Sequence, residues 1–225
     1  MKKILILALI PLFGTIYGQT QPIHEGVEIN DVVWATSNVD RSGRFAATPG
    51  EIGRYYQFNS SRSCRTRDRD TVWKGEFGSH WDIKRNNPCP EGWRLPTTGE
   101  FESLVNSTPH NENIDHHDDN SNRDIGVWKT EFFENGYVFG YWLGPNALKA
   151  TPKNPGQAIF LPYVFLEENS GNGGYWTGVW RKDHNLNDKP YKFITKTDFG
   201  ERGTIFSAVY QGNPAECLPI RCVKR

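Results

Sequence analysis

The sequence predicts an α+β domain of short, mostly antiparallel strands with one early helix and long loops. Three observations point there. Short aromatic and β-branched runs are broken repeatedly by Gly, Pro and Asn, the pattern of strands joined by turns. One stretch, "LPTTGEFESLV", carries the start signals of a helix. The 225 residues are 13% aromatic and include eight tryptophans, enough bulky apolar surface for a real core.

From Val27 to Val39, "VEINDVVWATSNV" alternates apolar stretches with Asn and Asp and reads as two short strands around a turn at Asn30-Asp31. Residues 41–75 are rich in Gly, Ser and Arg and hold little periodicity. One short strand is expected there, near Arg54 to Phe58, and the mixed charges of "RSCRTRDRD" read as a solvated loop. In "NPCPEGWRLPTTGEF", Pro88 and Pro90 exclude helix and Gly92 permits a turn. Trp93 and Leu95 then flank Arg94 in the alternation of a short strand with one buried face. Thr97 stands three residues before Glu100 in an S/T-x-x-E capping box. A short helix therefore begins there, buries Phe101, Leu104 and Val105, and ends near Asn106. Beyond Trp128, "YVFGYWLGPNAL", "AIFLPYVF", "GNGGYWTGVW" and "TIFSAVYQ" read as strands, with a polar loop at 182–190 and a turn around Gly212-Asn213-Pro214. "LPIRCVKR" reads as the last strand, with Ile220 and Cys222 on one face.

The N-terminus sets Lys2 and Lys3 before the apolar run Ile4 to Ile10, with small residues at Gly14 and Gly18. That is the layout of a secretory signal peptide over residues 1–18, followed by a single domain over 19–225. The apolar run is too short for a bilayer span, no other segment is long and apolar enough, and no cysteine follows it as a lipid-anchor site. The chain is expected to be exported: secreted, periplasmic or on the cell surface. Without residues 1–18 it has 24 basic against 26 acidic residues, a formal charge of −2, which gives no electrostatic reason to expect nucleic acid or an anionic membrane as partner.

Cys64, Cys89, Cys217 and Cys222 are an even number of cysteines in an exported chain, so two disulfides are expected, with three connectivities open. No CxxC pair suggests zinc. The absence of a G-x-S-x-G elbow, a P-loop and an H-E-x-x-H motif leaves no catalytic residue to assign. In the most polar stretch, "HNENIDHHDDNSNRD", Asp115, His117 and Asp119 are candidate ligands for a divalent cation. They lack the alternating spacing and central Gly of an EF-hand loop, and a solvated surface loop is favoured.

Taken in order, "INDVVWATSNVD" at 29–40, "NPCPEGWRLPTTGEF" at 87–101, "AIFLP" at 158–162, "GGYWTG" at 173–178 and "IRCVKR" at 220–225 resemble the Fibrobacter succinogenes major paralogous domain. This is a family of exported proteins common in the Bacteroidetes. The resemblance covers roughly residues 24 to 225. It implies a C-type-lectin-like fold in which the N- and C-terminal strands pair, a helix follows the "WRLPT" strand, and long loops carry function. It also implies a disulfide between Cys89, before the early strand, and Cys222, in the last. The local alternative, Cys217 with Cys222, is disfavoured: fully extended, that segment separates the two Cα atoms by about 16 Å, beyond the roughly 7 Å limit, on opposite sides of the strand. The favoured set is Cys89 with Cys222 and Cys64 with Cys217.

The function this implies is a non-enzymatic binding module that recognises a glycan or a surface protein through the loops between residues 110 and 190. Trp142, Asn146, Tyr175, Trp176, Trp180, Asp183 and Asp188 are the candidate ligand-binding residues, because aromatic side chains with a few polar groups suit such sites. Aromatics of this kind are also what fills cores. Sugar-binding C-type lectins hold calcium with a Glu-Pro-Asn or Gln-Pro-Asp tripeptide and a later Trp-Asn-Asp. Gly144-Pro145-Asn146 and Leu186-Asn187-Asp188 depart from both, so no cofactor is expected, calcium being the one candidate the family brings. One alternative is a structural, fimbrial cell-surface subunit. Another is a formylglycine-generating-type oxidase, whose catalytic cysteine pair has the spacing of Cys217 and Cys222.

Overall fold

The computed structural model describes residues 25–64, 81–109, 127–134, 136–163, 172–181, 189–197 and 205–225. The expected signal peptide and the polar stretch 110–124 lie outside them. The elements are β1 (Val27–Ile29), β2 (Val32–Arg41), β3 (Arg44–Phe45), β4 (Trp93–Arg94), α1 (Thr98–Asn106), β5 (Val127–Phe133), β6 (Gly136–Leu143), β7 (Ile159–Pro162), β8 (Asn172–Arg181), β9 (Lys189–Thr197), β10 (Ile205–Gln211) and β11 (Arg221–Lys224). The result is a set of antiparallel sheets with one short helix among the described residues.

β1 and β2 form the expected hairpin, with Ile29 opposite Val32. Asn30 and Asp31 both take positive φ, 50° and 61°, a conformation their short polar side chains tolerate and one that matches the twist of a tight hairpin. β2 then pairs with β11, and β11 pairs with β4. The two ends of the chain therefore meet, but through β2 instead of β1. This central sheet is covered on both faces. Trp34 and Val223, ladder partners, face a core with Ile29, Phe101, Leu104, Leu143, Leu161 and Tyr175. Ala35, Val39, Ile220 and Cys222 face a second core with Tyr56, Phe58, Trp93 and Trp176.

α1 obeys its local code. The Thr97 hydroxyl accepts from the Glu100 amide at 3.2 Å, and the Glu100 carboxylate accepts from the Thr97 amide at 2.6 Å. Phe101, Leu104 and Val105 are buried, and the helix ends at Asn106. The same carboxylate is held by Arg94 through two contacts, 2.9 and 2.6 Å, so the residue that alternates outward from β4 locks the helix start to the strand before it.

Two expectations change. The strand near Arg54 to Phe58 reduces to a bridge at Tyr56, whose amide and carbonyl pair with Leu218 at 2.8 and 3.0 Å. Gly53, at φ +74°, turns the chain immediately before it, and a Cβ there would lie 2.3 Å from the Val39 carbonyl oxygen. At the other end, Lys189 and Pro190 of the polar loop expected at 182–190 belong to β9; a strand with four charged or proline residues among its first eight positions has little alternation to reveal it.

Both disulfides join the expected partners. Cys64 and Cys217 have Cα atoms 6.3 Å apart across 153 residues of sequence, and Cys89 and Cys222 6.1 Å apart across 133. Closing a single loop of this length restricts the unfolded chain by up to about 5 kcal/mol on the chain-entropy argument, and because the two loops interleave the second bond adds less than the first. No helix among the described residues is long and apolar enough to cross a membrane.

Candidate functional site

The sheet β5-β6-β7 has two unlike faces. Register sets Val127, Lys129, Glu131 and Phe133 with Gly136, Val138, Gly140 and Trp142 on one side, and Thr130 and Phe132 with Tyr137 and Phe139 on the other. The first side is closed. Phe133 and Trp142 pack on Phe160 with ring centroids 5.1 and 5.3 Å apart, over Ala147, Ala150 and Ala158. Gly140 makes this possible: a Cβ there would sit 2.4 Å from the Phe160 ring and 2.5 Å from the Leu161 carbonyl oxygen, so only glycine lets β7 lie this close.

The polar groups of that face are all engaged in bracing. The Trp142 indole N–H donates to Glu131 Oε1 at 2.8 Å. Lys129 Nζ donates to the carbonyls of Leu148 and Ala150 at 3.2 and 3.1 Å, tying the turn after β6 back to β5. At the start of that turn, the Gly144 amide donates to Thr108 Oγ1 at 2.8 Å, which anchors the sheet to the C-terminal end of α1.

The second side opens to solvent near the hairpin end. Phe132 is 63% exposed, Tyr137 76% and Phe139 55%. Phe132 and Tyr137 are direct cross-strand partners, their rings edge to face at 5.1 Å. Thr130, opposite Phe139, is exposed beside them. Large apolar side chains gathered on one solvent-facing strand pair mark contact surfaces more often than chance exposure does. These three rings are the candidate site. Sequence reasoning passed over them. The signal was Tyr137 and Phe139 two apart in "YVFGYW", which says they share a face but not that the face is open.

The structure corrects three of the expected ligand-binding residues. Trp142, Tyr175 and Trp176 are fully buried, and a ring with no exposed surface offers no platform. Each has a structural task. Trp142 fills the closed face described above. Trp176 donates from its indole N–H to the Tyr56 carbonyl at 2.6 Å and lies edge to face with Phe58 at 5.6 Å. The Tyr175 hydroxyl donates to the Pro162 carbonyl at 2.8 Å and accepts from Asn38 Nδ2 at 3.3 Å, and burial pushes its pKa up to about 12. Asn146 is exposed, as a ligand contact requires, on the turn braced by Lys129. The Trp180 side chain, Asp183, Asp188 and the candidate cation ligands Asp115, His117 and Asp119 lie outside the described residues. Among the described residues no group of three or more His, Cys, Asp or Glu side chains is placed to hold a metal ion.

Comparison of the chain with family models, with curated proteins and with solved structures finds no match.

Proposed function

We propose that the chain is an exported, non-enzymatic binding module of C-type-lectin-like architecture, and that it contacts a glycan through Phe132, Tyr137 and Phe139. The observation that carries this is the exposure of three aromatic rings on one braced strand pair. The apolar C–H face of a pyranose stacks on the electron-rich face of such a ring, and the Tyr137 hydroxyl and Thr130 supply hydrogen bonds beside it. Among the described residues of β5 and β6, register puts no charged residue on this face, which suits a neutral sugar.

Export is supported by the signal-like layout of residues 1–18 and by two disulfides, which persist in oxidising compartments. The architecture is supported by the ordered motif resemblance and by the meeting of the chain ends at β2 and β11. The non-enzymatic reading is supported by Cys217 and Cys222 each being bonded to a distant cysteine, so neither is the free thiolate an oxidase of the alternative type requires.

The test is binding of the oxidised protein to an array of host and plant glycans, with calcium and with a chelator. A hit retained in chelator and lost in Tyr137→Ser and Phe132→Ser, both fully folded, is expected. A hit unaffected by either substitution would remove the ridge from the site.

A further inference from the structure

Strand β5 is an edge among the described residues: the sheet order is β5-β6-β7, and β5 pairs only with β6. Half of its main-chain N–H and C=O groups therefore face outward with no ladder partner, and an edge of seven residues is long enough to template another strand. Protein edges are commonly protected by charged side chains, which an incoming strand would leave buried without a partner. β5 is an exception toward a second copy of itself. It carries one charge of each sign, Lys129 and Glu131, symmetric about Thr130.

We propose that β5 pairs antiparallel with β5 of a second copy of this chain, on a two-fold axis at Thr130. That register sets Lys129 opposite the second copy's Glu131 and Glu131 opposite its Lys129. Cross-strand partners have Cβ atoms about 5 Å apart, within reach of an ion pair on each side of the axis. Both side chains keep capacity for it. The Lys129 ammonium has three donors and spends two on the Leu148 and Ala150 carbonyls; Glu131 spends Oε1 on Trp142 and retains Oε2.

The same operation keeps like faces together. Two three-stranded sheets become one of six strands, and Phe132, Tyr137 and Phe139 of both copies come to lie on one side of it. A single ridge offers on the order of 400 Å² of exposed aromatic surface, half of the roughly 800 Å² per partner typical of a stable protein interface, so it is the wrong size to be a face-to-face dimer surface by itself. Edge pairing instead leaves it open and doubles it. The inference does not depend on the ligand of the ridge.

The experiment is sedimentation velocity of the oxidised protein from about 1 µM to about 100 µM, a range that resolves the micromolar affinity expected of a small interface. Wild type is expected to shift from monomer to dimer, less so at high salt, which screens the two ion pairs. Lys129→Glu and Glu131→Lys are each expected to remain monomeric, because each sets like charges opposite one another. Mixed, they are expected to form a heterodimer, since the first then carries only acids and the second only bases at these positions. Thr130→Lys, at an exposed position, is expected to remain monomeric with unchanged unfolding, which separates loss of pairing from loss of fold. A monomeric wild type throughout the range, or a Thr130→Lys protein that dimerises as wild type does, would overturn the proposal.

Discussion

Arg221 stands directly across the β2–β11 ladder from Asn38, and the two side chains join three sheets. The Arg221 guanidinium, fully buried, donates to the carbonyls of Ala35 in β2 at 3.0 Å and Phe160 in β7 at 2.8 Å. Asn38 Nδ2 donates to the Tyr175 hydroxyl in β8, which in turn donates to Pro162 at the end of β7. The central sheet thereby holds the ridge sheet and the β8–β10 sheet by one polar network, where apolar packing alone would let the layers slide. Burial pulls the Arg221 pKa down to about 10, because the enclosed cation loses its hydration.

Removing that clasp should be expensive. Arg221→Met preserves much of the apolar stem but orphans two buried carbonyls, each worth about 1 to 3 kcal/mol. The expected result is a loss of about 3 kcal/mol in urea unfolding with an unchanged slope. An unchanged midpoint would mean that the network is dispensable.

Trp176→Ala tests the reassignment of the buried aromatics. With Trp176 enclosed beside Phe58 and donating to the Tyr56 carbonyl, the substitution opens a large cavity and is expected to destabilise the fold by about 4 kcal/mol. Tyr137→Ser, at the exposed ridge, is expected to change stability by no more than about 0.5 kcal/mol. If the two variants unfolded at the same denaturant concentration, the distinction between core and ridge would be wrong.

The disulfides should matter strongly to the fold. Cys89→Ser/Cys222→Ser removes the staple between the β4 segment and β11, and a loss of about 3 to 5 kcal/mol is expected. Peptide mapping of the unreduced protein should yield Cys64 linked to Cys217 and Cys89 linked to Cys222. Recovery of a Cys217–Cys222 peptide would contradict the structure.

Glu100 makes stability acid-sensitive. Partial burial raises its pKa, but the hydrogen bonds from Arg94 and from the Thr97 amide outweigh this, and the folded-state value lies below the ordinary one. Because the folded pKa is lowered, the contribution is present above the unfolded-state pKa of about 4.3 and is lost as pH falls through the folded value. Unfolding free energy measured from pH 6 to pH 3 should fall, and Glu100→Gln should flatten part of that slope. A Glu100→Gln protein with the wild-type slope would show that the pair contributes nothing.

Local signals in the sequence were sufficient for α1, whose capping box and three buried residues stand where Thr97 and Glu100 place them, and for the Asn30-Asp31 turn. Both depend on atoms within a few residues of one another, so the code is local and the neighbours are known. The aromatic rings of the candidate site pose a different kind of question. Alternation in "YVFGYWL" separates Tyr137 and Phe139 from Val138 and Trp142 into two faces, yet it carries no label for which face is covered. That was decided by Ala147, Ala150, Ala158 and Phe160, which arrive from later in the chain and close over Trp142, and by the lack of any such cover over Phe132 and Tyr137 among the described residues. Strand-and-turn patterning, the capping box, the aromatic content and the cysteine count by themselves determined that a disulfide-bonded, aromatic-cored α+β protein would form; only tertiary packing decided which aromatics are core and which face solvent, because burial belongs to the pair of surfaces that meet and not to either segment alone.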